Sequence, residues 1–389
     1  MEEDEMNRVS DVKLPYRFGY PFFVNITTDN SGVWQVEKAG KYRLWRLAIK
    51  CDHAYSINLV FSRYRLPPGA SLYVYTPDFK TTLGAFTEDN NKNDYLMAIQ
   101  PISGTELVIE YNELIDTAFK GEIAISTIVH AYRPVFSQLT RGPSEFCNIN
   151  VACPEADDWQ DQSQAVALIT TGSGNAVCTG SILHNTKKDF KPLFLTANHC
   201  LGNPSTWVYV FNYQSPTCDG DIGQKTDSIQ GGTLLARGAA SDFALVELSE
   251  AIPKSYNVFF AGWSAVNVPA VSTVGISHPS GDIKKIAVNK DRVTSSQWSG
   301  QYRDTHWRVN FWDDGTTEPG SSGSALFDQN GRVVGQLHGG AASCYRIDYD
   351  VYGKISYSWA AGSSDADRLD VWLDPENTGT TVFDGEYQP

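Results

Sequence analysis

The chain predicts an all-β protein in two parts, and three observations carry that prediction. Apolar positions recur in short runs bounded by turn residues, with no sustained helical period. The sequence holds 19 Tyr, 18 Phe and 10 Trp beside 32 Gly and 18 Pro, a mix of strand-favouring and turn-favouring residues. Charge and cysteine both shift near residue 141. Residues 1–141 hold 15 Lys and Arg against 17 Asp and Glu, with one cysteine, whereas the rest carries a net charge of −12 and six cysteines. The expected units are therefore residues 1–141 and 142–389 of a 389-residue chain, each near the usual size of a domain.

In the first unit the strand candidates are Arg43–Ile49, Ser56–Ser62, Ser71–Tyr75, Tyr95–Ile99, Leu107–Tyr111 and Glu122–His130. Turn signals such as Pro67-Pro68-Gly69 and Ile102-Ser103-Gly104 separate them, and strands at this spacing suggest an antiparallel sandwich. No catalytic constellation appears in it. In the second unit the candidates are Ala165–Ile169, Trp207–Phe211, Ala244–Leu248, Val258–Ala261, Trp307–Phe311, Val333–Leu337 and Tyr352–Tyr357, and only Asp365–Leu373 has a helical pattern. That many short strands can close two packed barrels.

The net charge of −14 argues against nucleic acid or an anionic membrane as the main partner, because both reward Lys and Arg. No apolar run approaches the roughly 20 residues of a membrane-spanning helix. The start, Met1-Glu2-Glu3-Asp4-Glu5, lacks the basic region and apolar core of a secretory leader.

Three segments of the second unit carry chemistry: Leu195-Thr196-Ala197-Asn198-His199-Cys200, Ser241-Asp242-Phe243, and Glu318-Pro319-Gly320-Ser321-Ser322-Gly323-Ser324. A serine nucleophile needs a base to take its proton, and the base needs a carboxylate to fix its tautomer. The serine belongs in a tight glycine-flanked turn whose N–H groups converge on an oxyanion. Singly, each segment has an ordinary explanation: a structural His beside Cys, a turn Asp before a strand, a Gly/Ser loop. Together, in the order His, Asp, Ser, they match the chymotrypsin-type arrangement and differ from subtilisin and the α/β-hydrolases.

On these residues, and on Cys147-Asn148-Ile149-Asn150-Val151-Ala152-Cys153-Pro154, Gly335-Gln336-Leu337-His338-Gly339-Gly340 and Trp372-Leu373-Asp374-Pro375, residues 142–389 resemble the lysyl endopeptidases, secreted bacterial relatives of trypsin. The resemblance implies a chymotrypsin-like double β-barrel with a short C-terminal helix, preceded by a β-sandwich-like propeptide. It implies His199 as general base, Asp242 as its orienter and Ser322 as nucleophile, with the N–H groups of Gly320 and Ser322 as oxyanion hole. Asp350, in Asp350-Val351-Tyr352-Gly353-Lys354, matches the Asp of the primary specificity pocket, where a buried carboxylate selects Lys or Arg. The segment from Cys344 to Asp350 is shorter than in the family. Trp298 and His338 match residues that stack beside the triad, and Gly339 falls with them in the substrate-binding set. His278 lies in a family-like stretch and is expected to be structural. Ser321 stands where trypsin-like zymogens carry the Asp that pairs with a new N-terminus.

The remaining expectations follow from the resemblance. Of the 15 pairings open to six cysteines, it implies Cys147–Cys344, Cys153–Cys218 and Cys178–Cys200, leaving Cys51 alone. Such bridges point to an oxidising compartment, so the protein is expected to be secreted despite the missing leader. Cleavage between Arg141 and Gly142 is expected to release the propeptide, with a permanent binding domain as the alternative. The expected activity is a zymogen-derived serine endopeptidase cleaving after Lys and, as a further option, Arg. The alternatives are an Arg-preferring or broader protease and an inactive protease-like binding protein. No cofactor or metal is expected, since His53, His130, His184 and His306 form no metal-spaced set. Expected partners are polypeptides bearing Lys or Arg and the chain's own propeptide, with the enzyme acting as a monomer.

Overall fold

The computed structural model describes residues 15–37, 40–135, 143–171, 174–223, 227–298, 300 and 302–389. Arg141 and Gly142, the expected cleavage pair, lie outside the described residues. The chain divides into two compact units.

The smaller unit, Phe18–Phe136 with Ser173–Asn175, is built on two antiparallel sheets. One orders its strands Val33–Val36, Tyr42–Lys50, Glu106–Leu114, Ser71–Tyr75 and Thr82–Phe86. The other runs Gly19–Thr27, Glu122–Ala131, Ser56–Arg65 and Met97–Ala98, with Ile102–Ser103 also on Ser56–Arg65. Glu106–Leu114 and Glu122–Ala131 bury every second side chain, the alternation that a half-buried strand requires. Tyr111 stands opposite Trp45 in register. These two pack with Leu59, Phe61, Tyr64, Ile109 and Ile125 into one core.

The larger unit takes in Tyr16–Arg17 and, from residue 143, the rest of the chain apart from residues 174 and 175. Its first sheet orders Ser228–Gln230, Val208–Val210, Val166–Thr171, Ala176–Leu183, Leu193–Ala197, Phe243–Leu248 and Gly232–Gly238, with Tyr16–Arg17 also paired to Ala176–Leu183. The second runs Ile149–Asn150, Lys285–Asn289, Thr273–Ser277, Ala325–Asp328, Val333–Gly340, Asp350–Lys354, His306–Val309 and Thr294–Ser296. Leu193, Leu195 and Leu245 of the first sheet share a core with Ile276, Ile286, Phe327 and Val333 of the second. Burying each such side chain contributes roughly 1.5–3 kcal/mol. The all-β class expected from the sequence holds for both units.

Several expected elements differ in their bounds: Tyr95–Ile99 shortens to Met97–Ala98, and Val258–Ala261 to Phe259–Phe260. The run Tyr352–Tyr357 is a strand only to Lys354, and Ile355–Ser358 turns into a short helix. Alternation alone could not end the strand, since Ile355 and Tyr357 suit either state. The helical pattern near the C-terminus condenses into Asp365–Asp367 and Asp370–Leu373, and two further short strands, Val382–Phe383 and Glu386–Tyr387, follow it. Val382–Phe383 adds to Trp263–Ser264, completing the edge of the second sheet. Among the described residues no helix is long and apolar enough to cross a membrane.

Candidate active site

Strand pairing brings His199 and Asp242 together. Leu193–Ala197 and Phe243–Leu248 are antiparallel, with Ala197 opposite Phe243, so the chain leaves that ladder at His199 on one side and arrives through Asp242 on the other. The Asn198 N–H donates to the Asp242 carbonyl at 2.8 Å. The His199 N–H donates to Asp242 Oδ1 at 2.9 Å, and His199 Nδ1 lies 2.6 Å from Asp242 Oδ2. Asp242 adopts φ +58°, a left-handed conformation that Asp tolerates better than most residues. The Ser241 carbonyl accepts from Gln336 Nε2 at 2.7 Å, tying this corner to the second sheet.

The Ser322 turn is shaped by its glycines. Gly320 and Gly323 have φ of +97° and +82°. A Cβ on Gly323 would come within 2.2 Å of Thr196 Oγ1 and 2.5 Å of the Thr179 carbonyl, so only glycine lets the turn reach the strands below it. The Thr179 N–H donates to the Ser322 carbonyl at 2.8 Å, and the Thr179 hydroxyl to the Gly320 carbonyl at 2.9 Å. Thr196 is three residues before His199, and the Cys178–Cys200 disulfide joins the Thr179 strand to the turn that follows the Thr196 strand. The Ser322 carbonyl lies 3.8 Å from Cys200 Sγ. His199 and the Ser322 turn therefore rest on one neighbouring pair of strands with a disulfide at its end.

The segment from Ser277 to Asp282 supports the turn from the other side. Ser277 Oγ donates to Ser321 Oγ at 2.9 Å, the Ser280 N–H to the Pro319 carbonyl at 2.7 Å, and Ser280 Oγ to Glu318 Oε2 at 2.7 Å. His278 is fully buried against Tyr213 with Nδ1 2.8 Å from the Asp282 carbonyl. Burial, reinforced by Lys284, pushes it down to about 3, so it sits there as a neutral ring. Glu318 also accepts from the Glu145 N–H and Asn148 Nδ2, while burial raises its carboxyl above the usual range.

Asp350 is fully buried. Its Oδ2 accepts from Trp312 Nε1 at 2.8 Å and Thr317 Oγ1 at 2.7 Å. A Cβ on Gly340 would come within 2.3 Å of Asp350 Oδ1, so the strand that carries Gly339 and Gly340 stays bare beside this carboxylate. Trp298 stacks on His338 at 4.1 Å between ring centres, and His338 stacks on His199 at 5.7 Å. Three disulfides are present, Cys147–Cys344, Cys153–Cys218 and Cys178–Cys200, and Cys51 is a free thiol.

Two contributors went unnoticed in the sequence. His306 Nε2 lies 2.9 Å from His338 Nδ1. Lys354 is buried and bound to Asp304, Ser295 and Asn267, which fastens the base of the hairpin bearing Trp298. No spacing rule points to either, because both meet their partners across strands.

The model of the family described as "Lysyl endopeptidase, C-terminal domain" matches residues 141–353. A lysyl endopeptidase of Pseudomonas aeruginosa is 30% identical over 249 residues, 56% of this chain and 53% of that protein. The chain thus spans about half the length of this curated relative. Among solved structures, a Glu endopeptidase in complex with MPD aligns with a TM-score of 0.36 and 18% identity, over 56% of this chain and 93% of that one. Deg5 aligns at 0.34 and 12%, over 51% and 88%. Likenesses this slight carry no functional argument. The family match covers more than half of the chain and spans every segment from the first bridged cysteine through Asp350, and on that match the chain belongs to the lysyl endopeptidase C-terminal domain family.

Proposed function

We propose that the chain is a serine endopeptidase that hydrolyses peptide bonds on the carboxyl side of Lys, with Arg also accepted, and that residues 1–141 are its propeptide. The observation that carries this reading is the 2.6 Å approach of His199 Nδ1 to Asp242, made beside a glycine-shaped turn at Ser322 packed on the His199 strand. In this mechanism the Ser322 hydroxyl adds to the substrate carbonyl while His199 Nε2 takes its proton. Asp242 holds the imidazolium through Nδ1–H. The N–H groups of Gly320 and Ser322 receive the oxyanion. His199 then returns the proton to the leaving amine, the acyl-enzyme remains, and water attacks by the same route in reverse.

Buried Asp350 supplies the negative charge that a Lys ammonium or Arg guanidinium would neutralise. A buried carboxylate is costly without a cation, which supports basic selectivity. The polypeptide substrate and the propeptide are the proposed partners, and the enzyme acts as a monomer. Three disulfides favour an exported, oxidising setting. Ser322→Ala is expected to abolish cleavage of a denatured test protein, and release of residues 1–141, with the fold intact. Cleavage at the parent's rate would overturn the assignment. Labelling of Ser322 by an organophosphonate fluoride separates an enzyme from an inactive binding protein.

A further inference from the structure

Behind the Trp298–His338–His199 stack, a second line of polar side chains reaches Asp242. Thr305 Oγ1 lies 2.7 Å from His306 Nδ1. His306 Nε2 lies 2.9 Å from His338 Nδ1, and His338 Nε2 lies 3.7 Å from Asp242 Oδ2. All four residues are buried. The strands fix this order: His306 begins a strand beside Asp350–Lys354, which pairs on its other side with the strand carrying His338.

The proton positions follow from the carboxylate end. An ionised carboxylate only accepts, so His338 faces it with Nε2–H. A neutral imidazole has one N–H, so His338 Nδ1 accepts and His306 must donate from Nε2. His306 then accepts at Nδ1, and the Thr305 hydroxyl is the donor. We propose that Thr305 and His306 fix His338 as its neutral Nε2–H tautomer, which presents a second imidazole N–H to the Asp242 carboxylate beside that of His199.

Burial supports the neutral rings: it pushes His306 down to about 3 and His338 to about 4, against the opposing pull of Asp242. The charged and titratable groups facing the pair are Asp242 and His199 on the side of His338, and Lys354 on the side of His306. A charged His338 would oppose the imidazolium that forms on His199. The bond from His306 occupies the lone pair that a second proton would need. At 3.7 Å the His338–Asp242 approach is longer than a hydrogen bond, and contacts of this kind tighten in the reacting complex. His306 is thus a positioning residue, acting through His338.

Its kinetic consequence rests on the protease reading above; the tautomer does not. Nitrogen-15 NMR of the histidines in the full chain is expected to show His338 as Nε2–H across about pH 5 to 8. An Nδ1–H tautomer or an imidazolium there would overturn the proposal whether or not the protein is a protease. In kinetics on a Lys ester, His306→Phe is expected to lower kcat about tenfold or more with KM little changed. The acid limb of its pH profile moves to higher pH as His338 accepts a proton. His306→Gln, whose amide can still donate, is expected to recover most of the rate. An unchanged kcat and pH profile in His306→Phe, or no rescue by His306→Gln, would overturn it. If His306→Phe does not fold, Thr305→Val reads the same shift in smaller measure, and its absence is equally decisive. A parent chain that cleaves nothing would sink the protease reading and leave the NMR result to decide the tautomer.

Discussion

In the smaller unit the buried charged side chain among the described residues is Glu113, whereas the larger unit buries Asp242, Lys284, Asp350 and Lys354 together with His278, His306 and His338. Glu113 finds its partners on the spot. Arg43 stands opposite it in register, Tyr111 is two residues away, and the Gly121 N–H donates at 3.0 Å. The groups of the larger unit are joined instead across strands, from Thr305 through two histidines to Asp242, and from Trp312 and Thr317 to Asp350. Interior ionic groups cost several kcal/mol unless paired. The core of the smaller unit keeps one such group and closes around it. The larger unit retains many, with His306, His338 and Asp242 lined up at one rim beside His199, and adds three disulfides where the smaller unit has a lone thiol.

Four experiments break or sharpen that contrast. The largest effect is expected at the rim: Asp242→Asn should lower kcat by about 10⁴ by favouring the wrong tautomer of His199, while the smaller unit keeps its amide exchange protection. A residual rate near that of the parent would mean that Asp242 is merely another well-paired acid like Glu113. Next, Asp350→Ser should cut kcat/KM on Lys substrates by about 10³ or more, with the cleavage map losing its basic preference. An unchanged map removes Asp350 from the pocket.

The third test concerns covalent support. Replacing Cys147 and Cys344 together by Ser should cost about 2–4 kcal/mol, read as earlier denaturant unfolding of peptides from the larger unit in hydrogen exchange. Equal loss in both units would make the bridge a support of the whole chain.

The fourth test is acid sensitivity. His278 and His306 are held near 3 by burial, whereas an unfolded histidine titrates near 6.5. Between those values the unfolded chain binds protons that the folded unit refuses. Their contribution to stability is therefore full above about pH 6.5 and is lost as pH falls towards 3. Exchange protection in the larger unit should decline across that window ahead of the smaller unit. Parallel decline would place the acid-sensitive groups elsewhere.

Legibility in the sequence followed the range of the interactions. Glu106–Leu114 and Glu122–Ala131 were readable because alternation is local, and so were the three segments around His199, Asp242 and Ser322, whose residue types state a chemistry. Strands such as Ala176–Leu183 and Leu193–Ala197 are buried along almost their whole length, so they carry no alternation to read. The pairing of Cys147 with Cys344, 197 residues apart, follows from no spacing and needed the family pattern. His306 was invisible for a related reason: its meaning lies in a neighbour 32 residues on in sequence. Gly323 looked like one more turn glycine, and only the strands beneath it show why a side chain there is excluded.

The strand Asp350–Lys354 holds the buried Asp350 carboxylate at one end and, at the other, the lysine that fastens the Trp298 hairpin. Both neighbours pin its register, with Asp350 opposite Val309 and Gly340, and Gly353 opposite His306 and Gln336. A slip of one residue would turn every side chain to the wrong face. The turn of residues 341–349, closed by the paired backbones of Ser343 and Arg346 and by Ala341 on Tyr349, is where length can change without moving the charge. The stretch between Cys344 and Asp350 lies in that turn, so a change of length there would leave the register of Asp350 where its two neighbouring strands hold it.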